Sequence, residues 1–461
     1  LIGGGLRILA RPYLVFLYVC LVYLAFPSNH FNADALHYNI VGFMSIDDPA
    51  VLLRDESVPT HLLWHLLAAG LVALVHPADP RASLYILRIL NIALALGSIF
   101  LFMRLVRSYA GEGVTAWATL MLAFSQACLR YFLSVEVYSL NNLVLMLVLL
   151  FIHRLAARTP FGPGPGDLAV LALLAALAIA THLANVLLVP SIALWLCARG
   201  GFRGAGRGTL FGLGAGALVL SIIEGIALLR SIGFADALRY FFNYSGKKGT
   251  YLSPDVLGNV VLSARSGLAA VIDPGGIWLL LPMAIFLVYA ARHFRAFARD
   301  PWVELLVIHL CVAGAFLSQW DPDNSEHKIA VIPVLLLLVT FVHARIGRPL
   351  RGAALAGALL VVMGVVLSGI AHGVLPYTRL ETYPLYQLSS EIHDRAGADD
   401  VLVVGLASSA TGHAVTLSSM TFFNQRVAVL STEDTDFEER ARDYERRGFV
   451  VLRYLDGRFV R

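Results

Sequence analysis

"VPTHLLWHLLAAGLVALV", residues 58–75, is the stretch that decides how this chain is laid out. It is apolar and long enough to be counted as a membrane crossing. Eleven further apolar runs occupy 8–27, 82–104, 114–131, 138–155, 166–181, 183–198, 208–230, 277–292, 302–318, 328–345 and 351–374. If 58–75 crosses too, thirteen arginines in five later loops face outward: Arg104 and Arg107; Arg154 and Arg158; Arg199, Arg203 and Arg207; Arg292, Arg295 and Arg299; Arg345, Arg348 and Arg351. Basic loops belong in the cytoplasm, so that layout breaks the charge rule five times. If 58–75 lies in the interface or re-enters, all five loops become cytoplasmic, along with Arg7 and Arg11. Pro59, His61 and His65 favour the second choice, because they interrupt the apolar face and the two histidines, at i and i+4, share one side of a helix. The expected fold is an all-α polytopic membrane protein of about eleven transmembrane helices plus juxtamembrane helices, its N-terminus cytoplasmic and its C-terminus outside.

Composition supports this. The 461 residues are 58% hydrophobic and 14% charged, with mean hydropathy +0.73, far from the roughly 25% charge of soluble domains. Runs of this length are spanning helices rather than barrel strands, and place the chain in the plasma (inner) membrane. The formal charge of +4 carries no nucleic-acid signal, since only Lys247, Lys248 and Lys328 are lysines and the arginines sit mostly in short loops. Cys20, Cys128, Cys197 and Cys311 each lie inside an apolar run, which suggests neither disulfides nor zinc. The first run follows Arg7 as a signal peptide would, but it lacks a small-x-small cleavage site and is long enough to span, so it is expected to be retained.

The chain divides at 374/375. Residues 1–374 form the membrane domain, with 28–81 as the first outer loop and 231–276 as a long outer loop. Residues 375–461 change character: "DDVLVVGL" (399–406), "RVAVLS" (426–431) and "FVVLRYL" (449–455) are strand-like, and "EDTDFEERARDYERR" (433–447) is a charged helix. They are expected to form a small extracytoplasmic α/β domain. No internal repeat is visible, which leaves inverted-repeat transporters without support.

This layout gathers the polar residues on the outer side. Asp34, in "SNHFNADALHYNIVGF" (28–43), is either the cap of a new helix or a general base that takes a proton from a hydroxyl nucleophile. His37 follows at i+3 on the same face. Glu136, in "SVEVYSLNN" (134–142), suits a helix start on dipole grounds, and Tyr138 and Asn141 continue a polar stripe from it. Two acids facing one cleft would bind a divalent cation or fix an acceptor by hydrogen bonds. "YFFNYSGKKGTYLSPD" (240–255) offers Lys247 and Lys248 to a phosphate, or snorkels them to lipid head groups. "SQWDPDNSEHKIAVIP" (318–333) concentrates Trp320, Glu326, His327 and Lys328 for a sugar and its phosphate, or is a solvated turn. His182, in a tight outer hairpin, and Arg88, near a helix start, complete the candidates.

Four segments carry a resemblance by their order: "NADALHY" (32–38), "RDESVPTHLLWHLL" (54–67), "DPRASLYILRILNIALALG" (79–97) and "LSVEVYSLNNLVLML" (133–147). Over roughly residues 8–200 the chain resembles the GT-C superfamily of membrane glycosyltransferases, especially protein O-mannosyltransferase-like and lipid A aminoarabinose transferase-like members. The resemblance implies that Asp34 is the catalytic base, that Glu136 is the second outer acid, that Arg88 is the helix-start arginine, and that Glu56 and His61 lie on the interfacial approach to the site. It also implies an inverting enzyme that moves a sugar from a polyprenyl-phosphate donor to a lipid, glycan or protein acceptor at the extracytoplasmic face. Two departures stand out. Ala35 follows the acid where many relatives carry an Asp-Glu pair, and Glu56, Ser57 and Val58 precede the proline where some carry Glu-Lys, so the lysine's task passes elsewhere. The rival classes are a transporter or flippase of lipid-linked saccharide, which predicts polar residues through the spans on both sides, and a non-catalytic scaffold, which predicts that Asp34 and Glu136 are dispensable.

Overall fold

A computed structural model describes residues 11–54, 61–158, 163–239, 255–271, 288, 292, 297, 299–319, 328–347, 352–397, 399–406, 409–431, 437–455 and 458–460. The chain is mostly helical. Among the described residues, four helices are long and apolar enough to cross a membrane: Pro80–Arg107, Tyr138–Arg158, Leu183–Arg230 and Gly357–Tyr377. Seven shorter apolar helices accompany them. The bundle turns large apolar side chains outward, among them Leu21, Leu24, Leu74 and Leu228, as a membrane protein does where hydrocarbon replaces water.

Between the first helix, α1 (Pro12–Ala25), and the long α5 (Pro80–Arg107), the first loop folds into α2 (Ala33–Met44), the short α3 (Ala50–Arg54) and α4 (Leu62–Val75). Helix α4 has 14 residues, about 21 Å at 1.5 Å per residue, against a hydrocarbon core of about 30 Å. It buries Trp64 and His65 on one face and exposes Leu66 and Leu74. Helix starts follow elementary chemistry. Asp79 caps α5 by accepting the Ala82 N–H at 2.7 Å, with Pro80 at the first helical position, where its missing donor costs nothing.

The run expected at 114–131 is two helices, α6 (Glu112–Phe124) and α7 (Gln126–Phe132), bent at Ser125, whose ψ of 137° leaves the helical region. Next come α8 (Tyr138–Arg158) and α9 (Pro165–Thr181). The runs expected at 183–198 and 208–230 are the two arms of α10 (Leu188–Arg230), joined without the loop read at 199–207. Gly201, at φ +52°, makes the reversal. Gly204 and Gly208 then lie against the carbonyls of Leu196 and Ala193, so close that a Cβ would come within 2.2 and 2.9 Å of them. Later described helices are α11 (Val256–Val271), α12 (Pro301–Leu317), α13 (Val331–Ile346) and α14 (Gly352–Ser368), the last continuing into a π-turn at Gly369–Val374.

The tail opens with α15 (Pro384–Ala396) and builds a four-stranded sheet in the order β2-β1-β3-β4. Strands β1 (Val401–Leu406), β2 (Val427–Ser431) and β3 (Val450–Leu455) are parallel; β4 (Arg458–Val460) is antiparallel to β3. Alternate residues of β1 serve different layers: Val401 and Val403 pack with Ile392 of α15 and Val415 of α16 (Ser409–Phe423), while Leu402 and Val404 pack with Ala441 of α17 (Phe437–Arg446). The three strand-like runs and the charged helix lie where the pattern put them; α16 and β4 were not foreseen. Helix α16 also joins the tail to the bundle, because Leu417 and Phe422 are buried in the same core as Tyr38 and Trp64.

Candidate functional site

Loop 28–32 is held from two sides. Arg88, two turns into α5, donates from Nη1 to the Ser28 carbonyl at 2.9 Å and to Asn29 Oδ1 at 2.6 Å, its guanidinium 4.7 Å from the centre of the Tyr85 ring. From the opposite side comes the segment leading into the tail. Asn29 donates its backbone N–H to the Tyr377 carbonyl at 2.7 Å and its amide to the Thr378 carbonyl at 2.6 Å. His30 Nε2 lies 3.0 Å from the Arg379 carbonyl, a pure acceptor, so this nitrogen carries the proton. The Tyr383 hydroxyl donates to the Phe31 carbonyl. Burial holds the His30 pKa below 6.5, the Arg379 carbonyl opposing it and the Arg130 charge adding to it.

This clamp fixes the start of α2. Asn32 is its cap, accepting the Ala35 N–H at 2.7 Å, so the capping role considered for Asp34 belongs to Asn32 instead. Asp34 sits exposed in the first turn, and His37 one turn further on.

Glu136 is delivered by a tight bend between α7 and α8. Asn91 of α5 holds that bend: its amide donates to the carbonyls of Tyr131, Phe132 and Ser134 at 3.0, 3.2 and 2.8 Å. Glu136 is only 2% exposed, a placement that costs free energy unless the carboxylate is paired or the site makes use of it. It lines a cavity of about 420 Å³ with His30, Asn32, Arg130, Tyr131 and Tyr377. Arg130 lies over the rings of Tyr131 and Tyr377, at 5.5 and 5.9 Å. A second cavity, about 610 Å³, continues past His30 and Thr382 to Thr378 and Arg379. Asn32, rather than Asp34, represents α2 on the first cavity's wall.

A train of rings connects the other candidates. Tyr38 meets His65 at 5.0 Å and His61 at 6.1 Å; His61 meets His182 at 4.9 Å; His182 meets Tyr138 at 5.6 Å; Tyr138 meets Tyr131 at 5.3 Å. His182 Nδ1 accepts the Ala184 N–H at 3.1 Å, which starts a short 3-10 turn and leaves the proton on Nε2. Asn185 and Thr181 both donate to Asn141 Oδ1, a buried network that ties α8 to α9. His61, His182 and Tyr138 thus link Tyr38 of α2 to Tyr131 at the Glu136 bend, while the His37 ring lies 5.9 Å from that of His413.

Lys328 is buried, at 6% exposed, with Nζ 3.4 Å from the Leu317 carbonyl at the end of α12, where a cation suits the helix dipole. Glu56, Lys247, Lys248, Trp320, Glu326 and His327 lie outside the described residues. Among the described residues no three His, Cys, Asp or Glu side chains form a metal-ligand set. Reading the sequence missed Arg130, Asn91 and the whole 377–383 clasp. Arg130 carried a signal, as the one cation in the outer turn "RYFLSVEVY"; the clasp carried none, because its partners lie about 350 positions apart.

The same architecture occurs in solved enzymes. ArnT of Cupriavidus metallidurans bound to undecaprenyl phosphate superposes with a TM-score of 0.58 over 95% of this chain and 88% of its own, at 13% identity. The chain has the GT-C fold. An Archaeoglobus fulgidus oligosaccharyltransferase, in complex with zinc and sulfate, shares it with a TM-score of 0.58 and 13% identity, over 95% of this chain and 67% of its own. In its apo form the share of that protein matched is 64%, so the chain spans about two thirds of its length. The model of the protein O-mannosyl-transferase TMEM260 N-terminal domain matches residues 83–202, a stretch that contains Arg88, Asn91, Arg130 and Glu136. No curated protein matches the chain by sequence.

Proposed function

We propose that the chain is an inverting glycosyltransferase that moves a sugar from a polyprenyl-phosphate donor to a hydroxyl-bearing lipid, glycan or protein acceptor at the extracytoplasmic face of the membrane. The observation that carries this reading is the convergence of the buried Glu136, the Arg130 cation and the first-loop residue Asn32, two positions before Asp34, on one cavity. The fold supports it, as does the lipid phosphate held by ArnT and the dolichol-phosphate held by the archaeal oligosaccharyltransferase.

In this mechanism Asp34 takes the proton of the acceptor hydroxyl as its oxygen attacks the anomeric carbon. The bond from that carbon to the phosphate oxygen breaks on the opposite face, which inverts the centre. The leaving phosphate is already a stabilised anion and needs charge compensation more than a proton; Arg130, on the cavity wall, supplies it. Arg88 acts one step back, holding the loop that carries Asp34. Glu136 accepts hydrogen bonds from sugar or acceptor hydroxyls. Residues 1–374 hold the donor's lipid, and 375–461 close the cleft from outside.

Membranes containing the chain, incubated with labelled polyprenyl-phosphate sugars, are expected to move label into a lipid, glycan or protein fraction. Asp34→Asn is expected to lower transfer by about 10³-fold, within the range for loss of a general base, with folded protein retained. Full transfer by Asp34→Asn removes the mechanism.

A further inference from the structure

Besides the clasp, the tail packs on the first-loop helix α2 through one helix, α16. Two ring contacts define how α16 lies on α2: Phe422 is 6.4 Å from Phe31, and His413 is 5.9 Å from His37. The two pairs run in opposite chain directions, so the helices are antiparallel. They bracket Asp34, which falls between Phe31 and His37 and shares a helical face with His37 at i, i+3.

His413 is delivered with unusual constraint for an exposed residue. Its neighbour Gly412 lies so close to β2 that a Cβ would come within 2.7 Å of the Val429 side chain, which seats the start of α16 on the sheet. One turn further on, Ser418 Oγ donates to the Leu385 carbonyl at 3.1 Å. Leu417 and Phe422 are buried in the bundle core. Helix α16 is therefore fixed to the sheet, to α15 and to the membrane bundle at once, the condition under which a supporting side chain holds a neighbour to a fraction of an ångström.

We propose that His413 is a positioning residue for Asp34. Its ring backs the His37 ring, and His37, so restrained, sets the orientation of the carboxylate that takes the acceptor proton. The tail is on this account part of the transfer site rather than an appended domain, and the inference rests on the transfer reading given above. Loss of the His413 ring removes one of the ring contacts that hold His37, the Tyr38 ring at 6.4 Å being another, and displacement of a reacting group by about 1 Å costs up to about 10²-fold in rate.

The test uses the full chain in membranes with a labelled polyprenyl-phosphate sugar. His413→Ala is expected to lower kcat by about 10- to 100-fold with the donor KM unchanged, and His413→Gln, which keeps a planar polar group of similar reach, to recover most of the loss. His37→Ala and the His37→Ala/His413→Ala double variant are expected to be equally slow, because residues acting in series are not additive. Unchanged kcat in His413→Ala, a change in KM alone, or losses that multiply in the double variant each overturn the role of His413 while leaving the function standing. If His413→Ala does not accumulate, His413→Leu, which keeps bulk without a planar polar ring, decides: kcat lowered about 10-fold with a normal thermal midpoint supports positioning, and kcat near that of the unaltered chain overturns it. No transfer by the unaltered chain overturns both readings.

Discussion

The bundle and the tail are built inside out with respect to one another. In the bundle, leucines such as Leu228 stand outward at 72% exposure, while Asn91, Asn141 and Glu136 are buried. In the tail, Leu402 and Val403 are fully buried and Arg442 and Glu445 are exposed. The difference lies in the solvent: hydrocarbon outside the bundle neither rewards apolar burial nor pairs with polar groups, so specificity there comes from polar contacts between helices. The sheet is covered by α15 and α16 on one face and by α17 on the other, and is held by apolar area removed from water. The cleft sits where the two regimes meet, and each contributes to it.

Substitutions can break or sharpen this contrast. Leu402→Ala, in the centre of the sheet, is expected to cost about 2–5 kcal/mol, read as a lower thermal midpoint, and transfer is expected to fall with it because α16 seats on the same sheet. A loss of stability with transfer untouched would separate the tail from the site. Asn91→Ala leaves three carbonyls of the Glu136 bend without their donor and is expected to cost about 1–3 kcal/mol; the same substitution would be close to neutral if the bundle were held by apolar burial alone. A smaller effect concerns pH. His30 has its pKa held below 6.5 by burial, so as pH falls through 6.5 the unfolded chain takes up a proton that the native clasp refuses, and stability falls with it. Thermal midpoints at pH 7.5 and 5.0 are expected to differ more for the unaltered chain than for His30→Gln; equal differences would show that the clasp does not exclude the proton. Leu228→Ala, on the lipid side, is expected to change stability by less than about 0.5 kcal/mol, and a loss as large as that of Leu402→Ala would erase the contrast.

The same contrast explains what was legible in the sequence. Strands β1 to β3 announce themselves by short β-branched runs between turn residues, and α17 by its charged outer face. Helix α16 did not: "SATGHAVTLSSMTFF" buries Ser418, Ser419 and Thr421 as deeply as its apolar residues, so no amphipathic stripe marks it. In the bundle, hydropathy finds the helices but not their joints. Ser125 bends one apolar run into two helices without a change in local hydrophobicity, and Gly201 makes its reversal inside the arginine-bearing stretch 199–207, which reads as a loop. Asp34 and Glu136 stood out because acids are rare beside spans. Arg130 was legible only as the one cation of its outer turn, and Asn91 was hidden inside a run that reads as lipid-facing.

The clasp on loop 28–31 has a consequence in time. Asn29 is made early and its partner Thr378 lies 349 positions later, about 20–70 s of synthesis at roughly 5–20 residues per second. Until then the growing polypeptide has its membrane helices but an unfinished cleft. Premature release would leave loop 28–31 without its clasp and the cavity without its wall at Tyr377, Thr382 and Tyr383.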